Sequence, residues 1–311
     1  MSQNVPASFQ VKFQNNVEMA LQQKACPIEA AGAVIVGSET GAEKVKVKDV
    51  VGNTKAKEAT ERHGQTQWGN RTYEGIWIAK PNELYDADLV DTADQLATAI
   101  SLSGTATMSA AATIKRARCQ RTLEGFYGVQ ITGKTGTGTS AFPGSGIIPV
   151  TTGGASGAQP LNTKKLREAN IYAAESYVDD DLKKFMVLTA EDNDALLDEV
   201  PATSSDFQRA FGAAVNDNGK LIRMLGWNFI HLELDNPFLN TIPDLATDGS
   251  SYRKTPFWVM GGLIANDWQN LRTKVGEIPE RMFSLGYLAG TTRGATRGQD
   301  GTCGIILNKK N

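Results

Sequence analysis

Apolar and polar positions alternate with two different periods along the chain. Val45 and Val47 alternate with Lys44, Lys46 and Lys48, the period-two pattern of a half-exposed strand ending at Val51. Tyr73, Gly75, Trp77 and Ala79 mark a second strand of the same kind. Residues 52–70 between them are polar and rich in Lys, Glu, Thr and Gly, too long for a tight turn and too hydrophilic for a core. The pattern predicts a long two-stranded flap. After Pro81 the period turns helical. Leu89, Ala93, Leu96 and Ile100 form one amphipathic stripe. A second helix is predicted over 107–123, with Met108, Ala112, Cys119 and Leu123 on one face, Arg116, Arg118 and Arg121 toward solvent, and Gly125 and Gly128 at its end.

Residues 133–157 hold eight glycines and read as loop or irregular strand. A helix capped by Asn162 or Thr163 runs on through Leu166, Ala169 and Ala173 to Tyr177. Phe185 to Leu188 is a short buried strand, and Thr189 with Asp192 resembles a capping box opening a helix through Leu196 and Leu197. Asn218-Gly219 signals a turn before a strand from Trp227 to Leu234, with Ile230, Leu232 and Leu234 on one face. Residues 281–307 are strand-like with frequent glycines. The N-terminal stretch, 2–24, is rich in Asn and Gln with scattered Phe9, Phe13 and Val17, an arm that needs a neighbour. The mixture is α+β without the regular alternation of a doubly wound sheet.

Composition narrows the partners. The 311 residues carry 32 basic and 34 acidic side chains, so no global cationic field draws the chain onto nucleic acid. No signal peptide is visible in residues 1–18, and no apolar run is long enough to span a bilayer. Cys26, Cys119 and Cys303 lie far apart, and their spacing shows neither a metal clip nor a disulfide framework; they are expected to be small hydrophobes in a reducing compartment.

Candidate chemistry changes little. Gly128 to Thr135 matches the phosphate-loop pattern GxxxxGK[ST] in full, with Lys134 as its lysine. A working phosphate loop follows a buried strand and opens a helix. Here the preceding segment is an amphipathic helix, and the following one, 136–146, holds four glycines and Pro143. The match is therefore read as chance. Gly154-Ala155-Ser156-Gly157-Ala158 lacks the second glycine of a nucleophile elbow. His63 and His231 are too few for a histidine-rich metal site. The acidic runs Asp179-Asp180-Asp181 and Glu191-Asp192-Asn193-Asp194 lack the ligand spacing of a calcium loop and read as solvated helix ends. No catalytic, cofactor or metal residue is assigned.

Taken in order, several segments resemble tailed-bacteriophage major capsid proteins of the Hong Kong 97 type. They are Phe13-Gln14-Asn15-Asn16-Val17 leading to Gln22-Gln23-Lys24, Arg62-His63-Gly64-Gln65-Thr66 in the flap, Ala87-Asp88-Leu89-Val90-Asp91 entering the long helix with the Gly-rich stretch after it, Gly226-Trp227 leading to Pro237, and Gly294-Ala295-Thr296-Arg297. The resemblance implies an N-terminal arm over 1–35, an extended loop over 36–80 that lies on a neighbouring subunit, a peripheral domain with a spine helix over 81–189 and 271–311, and an axial domain over 190–270. It implies self-assembly into pentamers and hexamers of an icosahedral or prolate virion head enclosing double-stranded DNA, assembled in the host cytoplasm. Assembly contacts are expected at Lys55, Lys57, Arg62, Trp68 and Arg297. The chain shows no long N-terminal helical region of the kind that serves as a built-in scaffold, so a separate scaffolding protein is expected. The other expected partners are a portal and a cement protein, with packaged DNA contacted weakly, no membrane and no cofactor. Another virion component, such as a tail or head-completion ring, is the alternative. A nucleotide-binding protein using Lys134 is a distant third.

Overall fold

The computed structural model describes residues 26–52, 54–58, 65–66, 68–90, 102–154, 157–199, 212–281 and 284–310. In chain order these form α1 (Pro27–Ala30), β1 (Ile35–Gly37), β2 (Lys44–Val51), β3 (Tyr73–Ala79), β4 (Leu84–Val90), α2 (Leu102–Tyr127), β5 (Gln130–Thr132), β6 (Gly138–Ser140) and β7 (Ile147–Ile148). There follow α3 (Thr163–Glu175), β8 (Lys184–Leu188), α4 (Ala190–Glu199), β9 (Ala214–Val215), β10 (Leu221–Met224), β11 (Trp227–His231), α5 (Ile242–Leu245), β12 (Arg253–Val259), β13 (Leu263–Ile278), β14 (Ser284–Arg297) and β15 (Cys303–Asn308). The strands make three sheets: β1-β13-β14-β4, β7-β15-β12-β8-β11-β10-β9, and β2-β3-β5-β6.

The central strand β8 of the seven-stranded sheet is buried on both faces, which explains why Phe185 to Leu188 reads as a short unbroken apolar run. Side chains alternate across the sheet. Phe185, Val187, Ile230, Trp258 and Ile305 enter one core with Leu123 and Phe126 of α2. Met186, Leu188, Phe229, Phe257 and Ile306 enter a second core with Leu166 and Ala169 of α3. Asn162 caps α3 by accepting from the Lys165 amide at 2.9 Å, as its sequence predicts. Leu225-Gly226 closes the β10–β11 hairpin, pairing Met224 with Trp227.

Several expectations are corrected. Leu89 does not begin a helix: it lies in β4, which pairs antiparallel with β14 from Thr291↔Leu84 to Leu285↔Val90. Alternation of Tyr85, Ala87 and Leu89 with Asp86 and Asp88 fits that ribbon, and β14 is the partner that decides. The rest of that helical stripe, Ala93 to Ile100, falls outside the described residues. The long helix is α2, and Gly125 lies within it. Its arginines do not face solvent. Arg116 is buried over the Phe238 ring, and Arg118 and Arg121 form ion pairs.

Cys26 and Cys119 are not isolated. Docking of α1 on α2 joins them in a disulfide with α-carbons 5.3 Å apart. Asp192 is not a solvated helix end but is buried, accepting from Arg253 at 3.3 Å and Thr255 at 3.2 Å. Burial raises its pKa against the opposing pull of Arg253. The expected domain limits run across shared sheets, since β8 and β15 join strands from within 190–270 while β13 crosses residue 270.

Candidate assembly surface

The flap is an antiparallel ribbon, with β2 paired to β3 from Lys44↔Ala79 to Val51↔Tyr73. Val45, Ile76 and Ile78 bury one face of its base. That base is seated on the β5–β6 hairpin. The Trp77 indole donates to the Gly133 carbonyl at 2.8 Å, and the Lys44 ammonium donates to the Gly136 carbonyl at 3.0 Å. Gly136 has φ +68, and a Cβ there would stand 3.0 Å from the Trp77 ring, so both conformation and space select glycine.

The far end of the ribbon is different. Val51 and Tyr73 are exposed, and Trp68 is 89% exposed. Lys55 and Lys57 are also exposed, and the Lys57 ammonium donates to the Trp68 carbonyl at 3.4 Å. Arg62 lies outside the described residues, as do His63 and Ser156. An exposed aromatic group at the end of a polar projection leaves a surface that an adjoining molecule can cover.

The phosphate-loop match is this same hairpin support. Gly128 ends α2, residues 130–132 are β5, and 133–137 turn into β6. Lys134 is exposed on the turn. No helix follows, so the converging amides and dipole of a phosphate cradle do not form.

Arg297, expected at an assembly contact, is placed inside the subunit as a clamp. It is fully buried. Its guanidinium donates to the Gly128 carbonyl and, at 2.8 Å, to the Ser140 carbonyl, and lies 5.1 Å over the Phe142 ring. The Gln130 amide donates to the Arg297 carbonyl at 2.8 Å. These bonds tie the β5–β6 hairpin, and with it the flap, to the end of β14.

Sequence reasoning missed a charge cluster on the same framework. Arg293 of β14, fully buried, donates to Asp267 of β13 at 2.6 and 3.1 Å and pairs with Glu29 of α1. Arg118 of α2 bridges the same two carboxylates, at 3.0 Å to Asp267 and 3.2 Å to Glu29. Four elements are thus fixed by two guanidinium and two carboxylate groups. No local pattern announces this, because the members come from distant segments.

A family model described as phage capsid protein matches residues 5–310. No curated protein matches. Among solved structures, the capsid of cyanophage P-SCSP1u is similar with a TM-score of 0.71 at 10% identity, over 97% of this chain and 94% of that one. The capsid of cyanophage Pam1 gives 0.70 at 9% identity, over 98% of each chain. The capsid of Ralstonia phage GP4 gives 0.66 at 12% identity, over 100% and 99%. At such identities the likeness is one of fold.

Proposed function

Because the chain belongs to the phage capsid protein family and is a major capsid protein of a phage head, we propose that its flap lies over a neighbouring subunit and that pentamers and hexamers joined this way close into a shell around double-stranded DNA. One observation carries this reading. The ribbon is anchored at its base by Trp77 and Lys44 and ends in the uncovered Trp68, Tyr73 and Val51. A monomer gains nothing from such an end, whereas a neighbour covering it removes apolar surface from water on every subunit. Lys55, Lys57 and Arg62 are proposed to surround that contact.

The axial domain is proposed to be the seven-stranded sheet with α3 and α4. This widens the 190–270 span to take in residues 147–148, 163–175, 184–188 and 303–308, and gives up the part of β13 within it, 263–270. The peripheral domain is then the β1-β13-β14-β4 sheet with α2 as its spine. The near-neutral charge suits a container wall that contacts DNA weakly. The role is structural and non-catalytic. A separate scaffolding protein, a portal and a cement protein complete the proposed partners, with assembly in the host cytoplasm.

Negative-stain microscopy of the expressed chain, alone and with a scaffolding protein from the same phage, tests the shell. Closed particles are expected. Rings that never close would favour a head-completion or tail component.

A further inference from the structure

We propose that Cys26 and Cys119 form a redox staple that is open while the subunit assembles in the reducing cell and closes once the particle meets an oxidising medium. The proposal rests on the shell reading for its timing. Its geometry is independent of it.

The two α-carbons are 5.3 Å apart, inside the separation a disulfide requires, and the bond closes a sequence span of 93 residues. That span holds β1 to β4, so both flap strands lie within the closed loop. One end of the staple heads α1 and the other sits in the C-terminal half of α2. Without the bond, α1 is held to the body by buried Ile28, by Glu29 on Arg118 and Arg293, and by the Trp258 indole donating to the Ala33 carbonyl at 2.7 Å. Those contacts hold the cysteines together in either redox state, so oxidation requires no rearrangement.

Cys26 and Cys119 are only 5% and 2% exposed. A cleft of about 480 Å³, whose lining includes Cys26, Glu29, Ile114, Arg118 and Asn270, opens on the Cys26 side of the pair, the side from which a small disulfide would approach. Cys303 in the same core has no sulfur partner, and burial pushes its thiol up to about 12, so it stays a thiol and serves as an internal reference.

The chemistry is exchange with a small-molecule disulfide. One protein thiolate attacks it, forming a mixed disulfide and releasing one small thiol. The second protein thiolate then attacks the protein sulfur, releasing the other. Two protein thiols are oxidised, one small disulfide is reduced to two thiols, and the protons pass from the former to the latter. A reducing cytoplasm opposes this step and an oxidising medium favours it.

The test uses particles of the full chain and of the Cys26→Ser/Cys119→Ser double variant, examined straight from cells quenched with an alkylating agent and again after incubation with oxidised glutathione. Trypsin releases Cys26 in peptide 25–44 and Cys119 in peptide 119–121. Mass spectrometry is expected to find both alkylated in the cell sample and joined after oxidation, with Cys303 alkylated after denaturation in both. Oxidation should raise the particle melting temperature by roughly 5 °C or more in the wild type and leave the double variant unmoved. Free Cys26 and Cys119 after oxidation, linkage already complete in the cell, or an equal thermal shift in the double variant would each overturn the staple. Microscopy of the same samples keeps the readings apart. Shells with free thiols sink only the staple, while absence of shells sinks the shell reading and leaves the linkage to be read on soluble chain.

Discussion

Gly125 of α2 is pressed against Ala295 of β14 so closely that a Cβ on Gly125 would stand 2.6 Å from the Ala295 Cβ and closer still to its carbonyl group. The helix rests on the strand at this point because neither residue projects beyond a methyl group. Gly125→Ala forces α2 away from β14, an overpacking cost of about 1–3 kcal/mol. Urea unfolding of the purified subunit should show a lower midpoint, and an unchanged midpoint would mean that helix and strand do not touch there.

Arg297 holds two backbone carbonyls, those of Gly128 and Ser140, from inside the subunit. Arg297→Leu keeps bulk but leaves both acceptors buried and unpaired, for a loss of about 3 kcal/mol. The loss should appear in denaturant melts of unassembled subunits. A variant of normal subunit stability that fails only at assembly would return Arg297 to an interface role.

Lys134 is exposed on a hairpin turn rather than aimed at a helix N-terminus. Lys134→Ala should leave subunit stability within about 0.5 kcal/mol and particle yield unchanged. Equilibrium dialysis with labelled ATP should show no Lys134-dependent binding; saturable binding lost in the variant would contradict the hairpin assignment.

Lys165 is buried in α3, where its ammonium donates to the carbonyls of Gln159 at 2.8 Å and Leu307 at 2.7 Å and to the Asn308 side chain at 3.0 Å. Burial lowers its pKa to about 8 from the ordinary 10.5. Between these values the unfolded chain binds more protons than the folded one, so this group's contribution to stability rises with pH across the window. Lys165→Met removes that slope. Melting temperatures from pH 8 to 10.5 should show the wild type gaining on the variant, and parallel curves would mean that burial does not shift the lysine.

The flap strands, α3 with its Asn162 cap, and β8 were legible because each carries its own short-range period or cap. What was not legible depends on partners far along the chain. The distal half of β13 is exposed, with Leu271, Val275 and Ile278 set among polar and charged residues, and only its pairing with β14 makes a strand of 16 residues. Leu89 satisfied a helical stripe until β14 claimed it. Gly125 looked like a helix end, because a residue that terminates helices and one that allows close packing are the same residue. The Cys26–Cys119 pair and the Arg118, Arg293, Glu29 and Asp267 cluster are products of tertiary docking, to which spacing along the chain gives no access. Arg297 was legible as a strand residue of the closing segment but not as a clamp, since the carbonyls it holds lie more than 150 positions away.

Sedimentation velocity of the intact chain and of a chain lacking residues 54–69, each under shell-forming conditions, tests most directly whether the flap joins one subunit to the next. Within that segment Trp68 is the one large apolar side chain, and it is 89% exposed, so the deletion takes little from the subunit's core. A neighbour contact of standard size, about 800 Å² on each partner, would be lost at every subunit of the shell. The deleted chain should keep its circular dichroism spectrum and melting temperature yet sediment as monomers or capsomers, while the intact chain sediments as shells. Normal shells from the deleted chain would contradict the account.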